Sequence, residues 1–268
     1  MIRALYSAAS GMNAQQLNVD TISNNLANVN TTGYKKETTN FKSLLYTNLN
    51  GPQQDTNNRP TVNQVGHGVR AMGNARDYSA GRTEATGKSS DFAISGNGFF
   101  CIDNDGTEVY TRDGSFRYAM LEDGSSYALV TSDGYPVLST DDESIIINSE
   151  VPQNSLEVSK DGTIFYMEDG VKMDVAKLKL VQFANRQGLE AMGSNFYQAT
   201  AASGEAIPEE DNDTLKASEI ASGYLESSNV QLAEEMVNLI IAQRAYEVNS
   251  TAIKTADDMM QQANQLKR

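Results

Sequence analysis

Apolar residues recur with a helical period over residues 228–266, a stretch without proline or glycine. One seam alternates spacings of four and three residues, as one face of a helix requires. Ser228 and Gln231 have the spacing of a capping box, which predicts a helix that begins at Ser228 and extends for on the order of 55 Å. The seam consists of Leu232, Met236, Leu239, Gln243, Tyr246, Ser250, Ile253, Asp257 and Met260.

A second apolar row lies beside the first half of this seam. It consists of Val230, Ala233, Val237 and Ile240. The two rows together make the apolar face wider than a contact with one other helix needs. We therefore expect the seam to contact the N-terminal helix of the same chain, and Val230, Val237 and Ile240 to contact other copies.

The N-terminal stretch, residues 1–33, shows the same pattern. Its seam consists of Leu5, Ala9, Met12, Gln16, Val19, Ser23 and Leu26. The pattern stops near Gly33, which can adopt a left-handed C-cap conformation. Asparagine is a poor helix former, so we expect the asparagines of residues 24–30 to bond to neighbouring chains. The matched seams predict that the two terminal helices pair as a coiled-coil-like domain, although periodicity alone equally allows an ordinary intramolecular helical hairpin.

The region between the helices has a different pattern. Residues 34–68 end in a polar run, 48–68, which predicts an extended connecting arm. Residues 69–201 contain repeated Asp-Gly turns between short apolar runs, which is typical of an antiparallel β domain built from hairpins. Residues 202–223 are acidic and indicate a linker, and residues 224–268 form the C-terminal part of the helical domain. The predicted fold class is α+β, with an all-β middle domain inserted between two long helices.

The formal net charge of -14 is carried by the middle of the chain. Residues 1–45 sum to +2 and residues 224–268 to -2, so the two ends are nearly neutral and suited to packing against further copies. Such a charge argues against nucleic-acid binding. The first 30 residues lack the apolar run of a cleavable signal peptide, and no stretch has the roughly 18 apolar residues of a membrane span.

Candidate catalytic and metal-binding residues are few. Cys101 and His67 are the only residues of their kinds, so neither a cysteine cluster nor a histidine-rich zinc site is expected. Residues 103–106 read DNDG and favour a hairpin turn over a calcium loop, because the glycine is misplaced and no glutamate closes the loop. Residues 96–98 read GNG and indicate a bend between strands, since a nucleotide-binding loop would have a third glycine and a following helix.

The acidic run at residues 141–143 is the starting point for a different class of function. Glu143 and its neighbours could supply the carboxylates of a peptidoglycan hydrolase, but adjacent residues do not face each other across a cleft. A solvated loop is therefore favoured. We expect no catalytic residue, no cofactor, no metal and no small-molecule substrate.

Specific motifs resemble those of the bacterial flagellar rod and hook protein family. Residues 8–12 read AASGM and residues 23–36 read SNNLANVNTTGYKK, similar to the N-terminal signature of the family. The segments DFAISGNGFF (91–100), YTRDGSF (110–116) and LVTSDGYPVL (129–138) resemble middle-domain motifs. GYLESSNV (223–230) and QRAYEVN (243–249) resemble the C-terminal signature. The resemblance runs in order through nearly the whole chain.

Within the family, the length, the opening MIRALY and the segment FKSLLY (41–46) most resemble the distal rod members. The proximal rod paralogue shares the same motifs, and the hook members are usually longer. The resemblance implies export without a cleaved signal, followed by helical self-assembly into a hollow shaft that crosses the periplasm, transmits torque and passes exported subunits. The implied partners are further copies, adjoining rod and hook proteins, surrounding ring proteins and a rod-cap protein.

The periodicity and the resemblance together predict a self-assembly interface on the terminal helices. Its expected residues are Leu5, Met12, Val19, Leu26, Val230, Leu232, Met236, Val237, Leu239, Ile240, Tyr246, Ile253 and Met260.

Overall fold

The computed structural model describes residues 2–48, 64–121, 124–149, 151–152, 155–168, 171–210 and 216–266. The chain divides into two compact units. The helical unit comprises residues 1–27, 37–76 and 231–268, and the β unit comprises residues 28–36 and 77–230. Two terminal helices and a middle of antiparallel strands confirm the α+β class.

Among its described residues, the helical unit contains α1 (Ile2–Ala27), α2 (Leu232–Gln265) and four short strands. Strands β1 (Glu37–Ser43) and β4 (Val69–Arg76) pair antiparallel, with a register shift between Asn40 and Phe41. Strands β2 (Tyr46–Asn48) and β3 (Gln64–Gly66) pair in the same sense. Helix α1 packs against both α2 and the β1–β4 ribbon. The polar run at residues 48–68, predicted as an extended arm, thus includes the last residue of β2 and the whole of β3, and its residues 49–63 lie outside the described part of the chain.

Both helices are shorter than the sequence predicts. The predicted start at Ser228 is wrong, because α2 begins at Leu232 with Gln231 at the N-cap position. Instead of forming a capping box, the Ser228 hydroxyl accepts a hydrogen bond from the Val230 N–H at 3.3 Å. Helix α1 ends at Ala27, six residues before Gly33, although Gly33 does have a positive φ of 67°.

The face of α2 that is buried differs from the predicted seam by one residue. The fully buried positions of the helix are Glu235, Ala242 and Ala256, whereas Leu232, Met236 and Tyr246 are exposed. Of the predicted seam, Leu239, Ser250, Ile253 and Met260 are partly buried. At Gly11 of α1, an added Cβ would lie 2.9 Å from the side-chain nitrogen of Asn249, so the two helices approach closely there. The coiled-coil geometry of this pairing stays a prediction.

In the part of the chain that the structure describes, the β unit contains sixteen further strands in antiparallel sheets. The strands are β5 (Thr83–Ala85), β6 (Phe92–Ser95), β7 (Phe99–Asn104), β8 (Thr107–Thr111), β9 (Arg117–Met120), β10 (Ser126–Val130), β11 (Ile146–Asn148), β12 (Leu156–Val158), β13 (Thr163–Glu168), β14 (Val171–Lys177), β15 (Leu180–Gln182), β16 (Glu190–Gly193), β17 (Phe196–Gln198), β18 (Ile207–Pro208), β19 (Glu219–Ser222) and β20 (Tyr224–Glu226). The largest sheet has the order β16-β17-β8-β7-β15-β18; the three-stranded sheets are β11-β10-β9 and β12-β13-β14, and the pairs are β19-β6 and β20-β5.

Two apolar clusters form the core of the β unit. Phe92, Phe100 and Phe116 belong to the larger one, and Phe99 and Tyr197 to the smaller. The aromatic rings meet edge to face, for example Phe100 and Phe116 with centroids 5.1 Å apart. Strand β7 lies between the two clusters, with Phe100 and Ile102 in the larger and Phe99 and Cys101 in the smaller, so its continuous apolar run is buried on both faces.

The Asp105-Gly106 turn forms the hairpin that the sequence predicts. Asp105 and Gly106 have φ values of 50° and 86° and join β7 to β8, as a two-residue primed turn requires. The Gly106 N–H donates to a carboxylate oxygen of Asp103 at 2.8 Å, so this carboxylate caps the hairpin turn. The hairpin interpretation of residues 103–106 is confirmed.

The segment expected to be an acidic linker contributes two strands to the β unit. Ile207–Pro208 pairs with β15, and Glu219–Ser222 pairs with β6. The carboxylate of Glu209 accepts hydrogen bonds from the Ser218 N–H at 2.6 Å and the Ser218 hydroxyl at 2.7 Å. Residues 211–215 of this segment lie outside the described part of the chain, and the domain boundaries stay predictions.

Candidate assembly site

A buried charged cluster joins distant parts of the chain inside the β unit. The carboxylate of Glu226, at the end of β20, accepts a hydrogen bond from the Lys35 ammonium at 2.7 Å through Oε1. Its second oxygen, Oε2, lies 3.2 Å from Nε of Arg112. The side chains of Lys35, Glu226 and Arg112 are 1%, 2% and 3% exposed. Residues separated by 191 positions in sequence thus share one buried ion cluster.

Backbone groups complete this cluster, which we call the charged cluster. Oε1 of Glu226 also accepts from the Gly81 N–H at 2.8 Å, and the Lys35 ammonium donates to the Ser79 carbonyl at 2.8 Å. The Gly33 N–H donates to the Glu226 carbonyl at 2.8 Å. A Cβ at Gly33 would lie 2.6 Å from the Asp113 nitrogen, so only glycine fits this close approach.

The electrostatics of the charged cluster are unbalanced, because two cations share one carboxylate. Burial lowers the pKa of Lys35, and the nearby Arg112 lowers it further, while Glu226 opposes both effects. Burial likewise lowers the pKa of Arg112, again against the attraction of Glu226. Since Glu226 is the group that compensates both cations, it is the residue on which the charged cluster depends.

A second contact in the β unit links the same two chain segments. The side-chain oxygen of Asn229 accepts a hydrogen bond from the Lys36 N–H at 2.7 Å, and its side-chain nitrogen donates to the Asp77 carbonyl at 2.8 Å. This amide therefore bridges residues 28–36 and the chain that follows β4. Both contacts hold the segment after α1 beside the segment before α2.

In the helical unit, Asn25 performs a comparable linking role. Its amide oxygen accepts from the Glu37 N–H at 2.9 Å, and its amide nitrogen donates to the Glu37 carbonyl at 2.7 Å. The same nitrogen lies 3.1 Å from a carboxylate oxygen of Glu235 in the first turn of α2. Asn25 is thus bonded within its own chain, which corrects the expectation that this amide serves neighbouring chains.

The residues considered for catalysis or metal binding occupy ordinary structural settings. His67 is exposed and hydrogen-bonds Thr47. Asp141, Asp142 and Glu143 lie exposed in a turn. Asp142 pairs with Lys179, whose pKa is raised by Asp142 and Glu108 despite partial burial. Among the described residues, no group of three histidine, cysteine or acidic side chains is arranged to hold a metal ion.

The predicted interface residues fall into three classes of exposure. Five of them are exposed in the chain, seven are partly buried, and Val230 is buried in the β unit before α2 begins. The exposed residues are Leu232, Met236, Val237, Ile240 and Tyr246, and the partly buried ones are Leu5, Met12, Val19, Leu26, Leu239, Ile253 and Met260.

Sequence reasoning assigned no role to Lys35, Arg112 or Glu226. All three lie inside the motifs quoted above, next to glycine, tyrosine or small residues. Charged side chains within such segments are a signal that could have indicated buried ion pairs. The identity of the partners, however, follows from strand pairing over long sequence distances, which periodicity does not reveal.

Family models match three separate parts of the chain. "Flagella basal body rod protein" matches residues 5–35, "Flagellar hook protein FlgE/F/G D1 domain" matches residues 93–166, and "Flagellar basal body rod FlgEFG protein C-terminal" matches residues 221–266. The flagellar basal-body rod protein FlgG of Borreliella burgdorferi is 44% identical over 278 residues, with 100% of both chains covered. The chain belongs to the flagellar rod and hook protein family.

Other relatives of this flagellar rod and hook family member are similar over the same length. FlgG of Bacillus subtilis is 35% identical over 271 residues, covering 100% of both chains. The flagellar hook-basal body complex protein FlhP of the same organism is 33% identical over 269 residues, covering 97% of each. The charged cluster takes one residue from each matched segment: Lys35, Arg112 and Glu226. It therefore ties together the three parts by which the family is recognised.

Among the described residues of this family member, no helix combines the length and apolarity that a membrane crossing requires.

Proposed function

We propose that this chain is a structural subunit of the flagellar basal-body rod, of the distal type, which assembles helically with further copies into a hollow drive shaft. Full-length similarity to proteins named FlgG is the observation that carries the proposal. The exposed apolar side chains of α2 support it, because a long helix with apolar residues outside its intramolecular contact is suited to packing against neighbours.

On this proposal the terminal helices form the wall of the shaft. The shaft would transmit torque from motor to hook and pass exported subunits through its lumen. Its partners would be further copies, adjoining rod and hook proteins, the surrounding ring proteins and a rod-cap protein. The chain would reach the periplasm by flagellar export without a cleaved signal. A proximal rod or hook role is the alternative within the family.

The test compares wild-type protein with Ile240→Asp, because Ile240 is exposed and its replacement leaves the intramolecular packing intact. We expect wild type to form straight filaments in electron micrographs and Ile240→Asp to stay monomeric. Gln243→Asp is the matched control, since Gln243 is an exposed polar residue of the same helix, and it should still assemble. Curved filaments would favour the hook alternative, and absence of wild-type filaments would contradict the proposal.

A peptidoglycan hydrolase is the alternative from another class, and we propose that the chain is not an enzyme. Glu143 is exposed in a turn, whereas a glycosidase needs two carboxylates facing each other across a cleft about 5 to 10 Å wide. A muramidase assay decides between the two. Cleavage by wild type that is lost in Glu143→Gln would establish the enzyme.

A further inference from the structure

The outward side of α2 has two parts of opposite shape. The first part is a ridge formed by Val237, Ile240 and Ile241, which are 55%, 57% and 61% exposed. The second is an open groove of about 620 Å³ farther along the same helix. Its apolar lining consists of Ala4 of α1 and of Val248, Ala252, Ala256 and Met259 of α2. Four polar side chains complete the lining, among them the Arg244–Glu247 ion pair.

The ridge and the groove lie on one continuous stripe of the helix. From Val237 the stripe passes through Ile241, Val248, Ala252 and Met259 at successive spacings of four, seven, four and seven residues. These spacings repeat every eleven residues, about 3.67 per turn, so the stripe stays on one face of the helix as packing against a second helix requires; Arg244 and Thr255 occupy the gaps in it. The intramolecular contact uses the neighbouring face of α2, where Glu235, Ala242 and Ala256 are buried, and the groove borders this contact through Ala256. The stripe is therefore a second helix-packing surface.

We propose that the ridge of one copy docks into the groove of a second copy. This inference rests on the proposed self-assembly and names the surfaces that carry it. Large side chains on the ridge match a groove whose alanines leave room for them, so one chain carries both halves of the contact. Ile241 and Ala252 are eleven residues apart, so parallel neighbours would be displaced by on the order of 16 Å along the helix.

The contact is heterologous, because the two docking surfaces differ. Each copy that uses its ridge still has a free groove, so a third copy can join and the array grows without closing. A few half-buried side chains provide much less than the roughly 1,000 Å² that a stable pairwise interface needs. A single contact is therefore weak, and stable assembly requires several neighbours at once.

Disulfide cross-linking distinguishes this arrangement from others. The double variant Ile241→Cys/Ala252→Cys cannot form an internal bridge, because residues eleven apart on a helix are on the order of 16 Å apart and a disulfide needs Cα atoms within about 7 Å. The native Cys101 is fully buried, so wild type serves as the unreactive reference. After mild oxidation under filament-forming conditions, we expect a ladder of dimers, trimers and longer species on a denaturing gel.

Three controls make the result specific. Each single cysteine variant should stay monomeric on the gel, and an equal mixture of the two should give dimers only. The double variant Gln243→Cys/Lys254→Cys has the same eleven-residue spacing on another side of the helix and should give no ladder. Dimers from a single variant, equal ladders from both double variants, or no ladder from Ile241→Cys/Ala252→Cys would overturn the inference.

Failure of this inference differs from failure of the proposed function. Wild-type filaments in electron micrographs without the ladder would reject only the ridge-and-groove contact. Wild-type protein that stays monomeric at its solubility limit would reject self-assembly itself, and the ridge-and-groove contact with it.

Discussion

At the scale of single residues, Glu226 is the group on which the charged cluster depends. Replacing it by glutamine leaves Lys35 and Arg112 buried without a carboxylate, which should lower the free energy of unfolding by about 3–5 kcal/mol. Lys35→Met keeps the balanced Arg112–Glu226 pair and leaves the Ser79 carbonyl without this donor, so it should cost only about 1–2 kcal/mol. Urea denaturation of the three proteins measures this asymmetry.

Glu219→Gln is the matched control for these variants. Glu219 pairs with Lys160 at 3.6 Å, and both side chains are exposed, so its loss should change stability by less than about 0.5 kcal/mol. Equal costs for Glu226→Gln and Lys35→Met would show that the charged cluster is not organised around the carboxylate.

The lowered pKa of Lys35 predicts a pH dependence. Between its folded pKa and the ordinary value of 10.5, the unfolded chain binds more protons at this position than the folded chain. The contribution of Lys35 to the free energy of unfolding therefore rises as pH increases through this alkaline window. Consequently, the stability of wild type minus that of Lys35→Met should increase as the pH approaches 10.5.

Chemical denaturation of both proteins across the alkaline range tests this. Burial raises the pKa of Cys101 and Tyr110, so their own contributions fall with pH in the same range. Both groups are present in both proteins, and their effects cancel in the difference. A difference that stays flat or decreases would contradict the prediction.

At the scale of elements, periodicity located both helices but not their buried faces. Hydrophobic periodicity predicts that the most apolar row of α2 packs against α1. In the structure, however, Leu232 and Met236 of this row are exposed, while Glu235 and Ala242 are buried. Close helix packing at Gly11 favours small residues, and the hydrogen bond to Asn25 makes burial of Glu235 favourable. Neither reason depends on hydrophobicity, so the pattern of apolar residues cannot reveal which face of α2 is buried.

Turn chemistry was more informative, because it acts locally. The Asp105-Gly106 hairpin follows from its two residues alone. The sequence does not predict the strands Ile207–Pro208 and Glu219–Ser222, since they lie in an acidic, proline-containing segment and pair with residues 25 or more positions away. The charged cluster is hard to predict for the same reason. Its residues lie in recognisable motifs, but the sequence does not show which of them pair with one another.

The connection between α1 and β1 depends on Gly33. Its φ of 67° and its close approach to the backbone of Asp113 both disfavour a side chain, so Gly33→Ala should lower the free energy of unfolding by about 2–4 kcal/mol. Gly204→Ala is the matched control, because Gly204 has a φ of 80° with nothing near its Cβ position. It should cost about 1 kcal/mol. Similar costs for the two variants in thermal or urea denaturation would show that the contact with Asp113 is unimportant.

At the scale of the whole molecule, the boundaries of the two compact units differ from those of the predicted order of helix, β domain and helix. Residues 28–36 and 223–230 belong to the β unit, although each directly adjoins the part of the chain that leads to a terminal helix. The β unit therefore contains the contacts that hold the two chain segments together, including Lys35 to Glu226 and Lys36 to Asn229. This organisation predicts that removing the helices alone leaves the β unit intact.

Two fragments test that organisation. Fragment 28–230 keeps the charged cluster and should unfold cooperatively, stay monomeric and form no filaments. Fragment 37–222 additionally loses Lys35, Glu226 and the strand β20, which leaves Arg112 buried without its carboxylate. It should be less stable than 28–230 by at least about 3–5 kcal/mol in urea denaturation, the cost of breaking a buried ion pair. Equal stability of the two fragments would show that residues 28–36 and 223–230 do not stabilise the β unit. Filaments formed by fragment 28–230 would show that the assembly surface lies outside α1 and α2.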